Sequence, residues 1–245
     1  MSMQPEVRKR ATVANIAGGS TRKMAAYRYV VALSILVLLW LGIYIYANNV
    51  RNIVSLGLPG TMAVGAGFIL FIKYLEKKGA NVIDRAKHAD RGAVAEEKVG
   101  DFLNSLPEGN FIIHDFNSGK GNIDHVLINT KGIFTLETKS HKGDVTFDGE
   151  KLLRGNRPFE KDFLNQAWAE CFAVRNVLQG WGITLKAEPI ILFTNAYVKV
   201  RGKAKGVEIL SLKYLPKFLE RLPDHQTIPE AGRIYNRVKA ACLPN

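Results

Sequence analysis

Three charged side chains interrupt two apolar runs between Gly121 and Lys139. Asp124 lies in Ile123 to Asn129, and Glu137 and Lys139 lie in Ile133 to Lys139. Thr130-Lys131-Gly132 between the runs reads as a tight turn. In a strand, residues two apart point to the same side, so Glu137 and Lys139 share a face. If the runs pair as a hairpin, Asp124 meets them at one end of a sheet. Two carboxylates and an ammonium converging there can hold a divalent metal and activate water for phosphodiester hydrolysis. The strand pattern alone also allows Lys139 to be a structural partner that neutralises a buried Glu137. His125 follows Asp124 on the opposite face of a regular strand, for structure or for substrate contact.

These residues need elements to position them. Arg91 to Leu106 carries Val94, Val99, Phe102, Leu103 and Leu106 at helical spacing, with Glu96 near its start. Glu96 on its own reads as a solvated or capping acid. Asn110 to Phe116 is a short strand, and Asn117 to Asn122 is a flexible loop containing Lys120. His141 to Gly155 reads as a further hairpin, with Gly143 turning out of the preceding strand and Asp148-Gly149 as its turn. Lys142, Lys151, Arg154 and Arg157 there line a phosphate-bearing path or form a solvated basic edge. Pro158 to Leu178 holds the longest helical stripe of the polar part: Phe163, Ala167, Cys171, Val174 and Leu178. Gln166 falls one residue off that stripe, facing a site or water. Ala187 to Asn195 is almost continuously apolar, as a central strand covered on both faces would be. Short strands follow at Val198 to Val200 and Val207 to Leu210, then helical patterns at Leu212 to Leu222 and Ile228 to Leu243. The expected fold class is α/β, with a central mixed sheet flanked by helices. No Gly-rich phosphate loop, GxSxG elbow or HExxH pair occurs, which argues against nucleotide switches, α/β-hydrolases and the commonest metalloproteases.

The remaining signal is hydropathy and charge. Tyr27 to Ala47 and Ile53 to Ile72 are apolar runs joined by the short polar loop Asn48 to Asn52. About 20 helical residues cross a hydrocarbon core of roughly 30 Å. The reading is a transmembrane helical hairpin over 27–73, with spans 27–47 and 53–72 in the lipid bilayer. Residues 1–26 are a basic flexible arm, and 74–90 are a polar linker with helical potential. Residues 91–210 form the soluble domain, and 211–245 are C-terminal helices packing on it. Arg22, Lys23 and Arg28 precede the hairpin, Lys73, Lys77 and Lys78 follow it, and its loop holds only Arg51. The positive-inside rule puts both termini in the cytoplasm, and a bacterial inner membrane is the expected location. Neither span has an internal acid, lysine or histidine, so the hairpin reads as an anchor rather than a transport path. Lys+Arg total 34 against 22 Asp+Glu, a net charge of +12, which favours polyanionic partners. Cys171 and Cys242 make neither a disulfide framework nor a zinc site.

Residues 91 to about 195 resemble the nuclease-related domain, NERD, of the restriction-endonuclease-like PD-(D/E)XK superfamily. The likeness rests on Glu96 in a helix, the Gly-Asn-Ile-Asp-His run ending in Asp124 and His125, Gly132-Ile133-Phe134, Glu137-Thr138-Lys139, Gln166-Ala167, and the strand Pro189 to Phe193. The resemblance implies a restriction-endonuclease-like core that binds Mg2+ or Mn2+ through Asp124, Glu137 and the Thr138 carbonyl. It implies that Lys139 orients or deprotonates the attacking water, that Glu96 completes the metal site or supports it from the outer sphere, and that Gln166 positions water or the scissile phosphate. Lys120, His125, Lys142 and Arg154 are the expected substrate contacts, and nucleic acid, with DNA foremost, is the expected partner. The functional expectation is a membrane-anchored, metal-dependent nuclease. The alternative is a catalytically silent, membrane-tethered nucleic-acid-binding protein.

Overall fold

The computed structural model describes residues 10–119, 121–223 and 230–242. It divides into a unit Thr21–Arg91 and a second unit made of the residues up to Ser20 together with Gly92–Asn245. Helix α1 covers Gly19–Asn48, α2 covers Val50–Val54, and α3 covers Gly57–Asn104.

In the first unit, α1 and α3 each contain a stretch long and apolar enough to cross a membrane, and protein covers only 6 % of either stretch. Leu33, Leu36, Trp40 and Leu70 are all exposed. Gly42 is a point of close approach: a Cβ there would lie 3.2 Å from the Phe71 ring. One helical turn on, Tyr46 stacks on Phe68 at 4.3 Å between centroids. Gly57 and Gly67, which stand out in the second apolar run, have nothing within 4 Å of a Cβ position. Pro59 sits in the first turn of α3, where its missing N–H is not needed. The polar stretch 74–90 is no separate linker but part of α3. Its Ala, Lys and Glu residues are good helix formers, and nothing in it breaks the helix.

The second unit is built on a sheet of nine strands among the described residues. They are β1 Thr12–Ala14, β2 Phe111–Asn117, β3 Asn122–Asn129, β4 Gly132–Phe147, β5 Leu152–Arg154, β6 Arg157–Pro158, β7 Ala187–Val198, β8 Lys203–Ala204 and β9 Val207–Ser211. The order is β1-β2-β3-β4-β7-β9-β8, with β5 on β4 and β6 on β5. β2, β3 and β4 run antiparallel, whereas β7 is parallel to both β4 and β9. The sheet is therefore mixed.

Helix α4, Phe163–Gly180, and α6, Ala231–Ala240, cover one face. Val174, Leu178, Ile234 and Val238 pack there on Ile113, Val126 and Ile133. The end of α3 and helix α5, Leu215–Arg221, cover the other, where Val99, Leu103, Leu215 and Leu219 meet Ile112, Leu127, Phe134 and Leu136. Neighbouring residues such as Ile112 and Ile113 go to opposite layers, as strand alternation requires. β7 is covered on both faces, with Ile190 and Leu192 in one core and Ile191 and Phe193 in another. Each such side chain contributes roughly 1.5–3 kcal/mol on burial.

Two expectations need correction here. The arm before the first span is not flexible throughout: Thr12–Ala14 pairs in parallel with Phe111–Ile113, and Ala11 N–H donates to the Leu106 carbonyl. Ala17 is buried so close to α3 that a Cβ on Gly100 would lie 2.4 Å from its own Cβ. Asp115 accepts from both the N–H and the hydroxyl of Ser20, each at 2.7 Å. Gly143 also does not end its strand, because β4 continues to Phe147. Its partner β7 pairs on both sides of a register shift between Lys139 and Lys142, which keeps the chain extended. The Asp148-Gly149 turn is present, with the Asp148 carboxylate accepting the Glu150 and Lys151 N–H groups. Ile228 and Pro229 lie outside the described residues.

Candidate functional site at the end of the sheet

The hairpin β3–β4 pairs regularly from Asn129–Gly132 to His125–Leu136. Beyond that point a side chain replaces the backbone acceptor: Thr138 N–H donates to Asp124 Oδ2 at 2.6 Å. This hydrogen bond fixes the carboxylate beside β4 where the ladder ends. Glu137 and Lys139 stand opposite Ile191 and Phe193 of β7. Glu137 is only 5 % exposed. Its Oε1 pairs with Lys139 Nζ in a nearly enclosed ion pair.

Helix α4 closes the group. Asp162 caps it by accepting the Asn165 N–H at 3.0 Å, which fixes where the first turn points. Phe163 in that turn lies under Lys139, with Nζ 4.3 Å from the ring centroid. Gln166 then donates from Nε2 to Glu137 Oε1 at 2.7 Å and to Glu170 Oε1 at 2.9 Å. Its Oε1 accepts from Lys139 Nζ at 3.2 Å. This orientation gives the amide nitrogen two carboxylates and the amide oxygen an ammonium, so the neighbours determine which way it points.

The charges are unbalanced. Burial raises the Asp124 carboxyl well above the usual carboxylate range, and the charges of Glu137 and Glu96 add to this. Lys139 and the Thr138 N–H oppose the shift. Glu170 is pushed up to about 9 by burial, by the Glu137 charge and by a carboxyl–carboxyl contact with Glu137. Glu137 Oε2, Glu170 Oε2 and Thr138 Oγ1 are buried with no hydrogen-bond partner. Oxygen donors in this state suit a hard divalent cation. Among the described residues, however, no group of three or more His, Cys, Asp or Glu side chains makes a metal-binding cluster.

The structure thus gathers Asp124, Glu137, Thr138, Lys139 and Gln166. Glu96 is buried on α3 and acts on Asp124 through its charge. Lys142 and Arg154 are exposed on β4 and β5, and Lys120 lies outside the described residues. His125 requires a correction, because it has no exposed surface and so cannot reach a substrate as placed. Its Nδ1 lies 2.7 Å from His114 Nδ1, and His114 Nε2 lies 2.9 Å from Asn104 Oδ1. With Asn104 as acceptor, His114 carries its proton on Nε2, so His125 Nδ1–H is the donor between the rings. Burial holds His125 well below the usual imidazole range and His114 at about 4, so both are neutral at pH 7.

Sequence reasoning missed Glu170 and Phe163. Glu170 is four residues after Gln166 and therefore on the same helix face, a signal that was available once Gln166 was placed at the site.

No curated protein and no solved structure matches this chain. A family model does match over residues 91–194, and its description is NERD, nuclease-related domain. That stretch contains Glu96, Asp124, Glu137, Lys139, Gln166 and Glu170, so the part of the chain that builds this site is similar to the nuclease-related domain family.

Proposed function

We propose that this protein is a membrane-anchored nuclease with a restriction-endonuclease-like PD-(D/E)XK core. Its domain hydrolyses phosphodiester bonds, foremost in DNA, with Mg2+ or Mn2+. The observation that carries the reading is Glu137. It is a buried carboxylate with one oxygen held by Lys139 and Gln166 and the other without a partner. Asp124, Glu137 and the Thr138 carbonyl would hold the ion, which would supply Lewis acidity for activating water and for charge at phosphorus. Lys139 keeps its ammonium beside the reacting phosphate, seated on Phe163. Gln166 holds Glu137 and Lys139 in mutual register. Lys142 and Arg154 bind phosphates along the exposed strands, which supplies affinity without sequence readout.

The anchor is the α1–α3 hairpin, in a bacterial inner membrane with both termini cytoplasmic. The pairing of β1 with β2 supports this topology. One strand precedes the first span and the other follows the second, so a single sheet requires both ends on one side. The basic flanks of the hairpin then select the cytoplasm.

A second reading is a tethered protein that binds nucleic acid without cutting it. The lack of a three-ligand cluster among the described residues favours it, as does an Asp124 carboxylate already occupied by the Thr138 N–H. The two readings separate on the full chain in detergent. It is assayed on circular, linear and single-stranded substrates with Mg2+, Mn2+ or EDTA, beside Glu137→Ala and Lys139→Ala. Metal-dependent cleavage that needs both side chains supports the nuclease. Salt-sensitive binding with no cleavage under any condition rejects it in favour of the second reading.

A further inference from the structure

Helix α4 has a second polar flank that takes no part in the reading above. Gln166 and Glu170 lie on the flank toward β4. Two residues on from each, slightly more than half a turn around, Trp168 and Phe172 lie on the other flank, with Arg175 one turn further. There they line a cleft of about 240 Å³ with Lys186 and Glu188 at the start of β7 and Lys203 of β8. The Trp168 ring is fixed. Its Nε1–H donates to the Lys205 carbonyl at 2.9 Å, and Gly206 lets the turn between β8 and β9 close on it, since a Cβ there would lie 2.9 Å from the ring. Phe172 stacks on Trp168 with centroids 5.6 Å apart, yet it is 47 % exposed. The core does not need it, because Ala167, Cys171, Val174 and Leu178 are the buried residues of this part of α4. Glu188 is the one carboxylate of the lining, and Lys203 Nζ neutralises it at 2.7 Å. Neither Arg175 nor Lys186 pairs with a carboxylate among the described residues. The lining is therefore aromatic on one side and net positive at its rim.

We infer that this cleft binds an unpaired base of single-stranded nucleic acid, with the base stacked on Phe172 and Trp168 and the flanking phosphates on Arg175 and Lys186. Each part of the lining meets one part of that ligand. Every base has a π-face, so stacking on an aromatic side chain tolerates any sequence. A guanidinium and an ammonium suit phosphate oxygens. The volume is below the roughly 300–1,000 Å³ of sites that enclose a drug-sized ligand, so the cleft takes one ring system rather than a whole nucleotide. A paired base is already stacked on its neighbours and does not enter, which selects single strands. The cleft and the carboxylate site sit on two flanks of one helix, roughly 10–12 Å across. At about 3.4 Å per nucleotide, a strand of about four nucleotides reaches both. The inference deepens the reading of the domain as one that acts on nucleic acid and rests on it for the class of polymer, but it needs neither metal nor cleavage.

The test is binding in EDTA by the full-length protein in detergent, followed by fluorescence anisotropy of labelled oligonucleotides. Single strands of DNA and of RNA are compared with abasic strands of the same length and with a duplex. Wild type is expected to bind a base-bearing single strand, of whichever sugar it takes, more tightly than the abasic strand. Phe172→Ala is expected to weaken that binding by roughly 5- to 150-fold, the loss of one stacked base, and to leave the abasic strand and the duplex unchanged. Arg175→Gln and Lys186→Gln are expected to weaken base-bearing and abasic strands alike, and to flatten the dependence of log affinity on log salt by about 0.7 each. Equal binding of abasic and base-bearing strands by wild type overturns the inference without any variant, and so covers the case where Phe172→Ala fails to fold. Unchanged binding of base-bearing strands by Phe172→Ala also overturns it, and metal-dependent cleavage then leaves the nuclease standing. Phe172-dependent binding by a protein that never cuts upholds the inference while the nuclease reading falls. No binding to any of these polymers overturns the inference together with the reading of the domain as one that acts on nucleic acid.

Discussion

The hairpin and the sheet invert the usual distribution of polarity in opposite ways. In the hairpin, Leu33, Leu36, Trp40 and Leu41 point outward and are more than 40 % exposed. In the sheet, Glu137, His114 and His125 point inward and are nearly sealed from solvent. Soluble proteins rarely do either on this scale. The outward apolar surface is stable only when lipid replaces water. The inward ionisable groups persist only with partners: Lys139 and Gln166 for Glu137, and each other's ring nitrogens for the two histidines. One inversion is consistent with a membrane anchor, and the other holds ionisable groups in a fixed arrangement.

Substitutions that restore the usual polarity to either region test this comparison. The largest effect is expected for Glu137→Ala. Cleavage should fall by more than the roughly 10–100-fold typical of groups that merely support metal ligands. Binding to nucleic acid, followed by fluorescence anisotropy, should hold or strengthen as a negative charge is lost. Equal loss of binding and cleavage would make Glu137 a packing residue.

Next in size is Leu36→Arg, a charge placed in the first span. It should cost about 3 kcal/mol of insertion. Alkaline extraction of membranes should release more of the variant. Full retention would mean that residue 36 does not face lipid.

The histidine pair gives a pH signature. Both imidazoles are held below their ordinary value, His114 at about 4. The unfolded chain therefore binds protons first as pH falls. The histidines' contribution to stability is complete above about 6.5 and declines toward about 4, by roughly 1.4 kcal/mol per pH unit for each imidazole, while the raised carboxyls of Asp124 and Glu170 contribute with the opposite sign. Urea unfolding of wild type and His114→Asn between pH 7 and 4.5 isolates the His114 part, as a difference between the two that changes by up to roughly 1.4 kcal/mol per pH unit. An unchanged slope would place the acid sensitivity elsewhere.

The smallest expected effect is for Asp115→Ala, which removes the acceptor of the Ser20 N–H and hydroxyl. It should lower the midpoint of thermal unfolding by the equivalent of about 1 kcal/mol, with little change in cleavage. A change above a few kcal/mol would mean that the strand before the first span governs the whole domain.

How legible each part was follows from the range of the forces involved. The spans were readable because hydropathy is a local sum. Asp124, Glu137 and Lys139 were readable because charges in apolar strands stand out, and strand periodicity says which of them share a face. Glu170 was not, because its partner Glu137 comes from an element 33 positions away in the chain and its own neighbours look like an ordinary helix. β1 was not, because three residues in a basic segment carry no period. β4 looked like two strands because Gly143 reads as a break, and only the long pairing with β7 overrides it. His125 read as a possible substrate contact because the ring that would bury it, His114, belongs to another strand.

The position of β1 also sets a schedule. During synthesis it emerges roughly a hundred residues before its partner β2, with both spans made in between. At about 5–20 residues per second, that leaves the first strand waiting on the order of 5–20 s. The sheet edge at β2 then closes only if the earlier segment stayed on the same side of the membrane. A hairpin inserted upside down would carry its N-terminal segment away together with the rest of the domain. One that lost a single span would strand β1 across the bilayer from β2. With the two apolar helices as membrane spans, completion of this domain is a built-in check on how many times the chain has crossed.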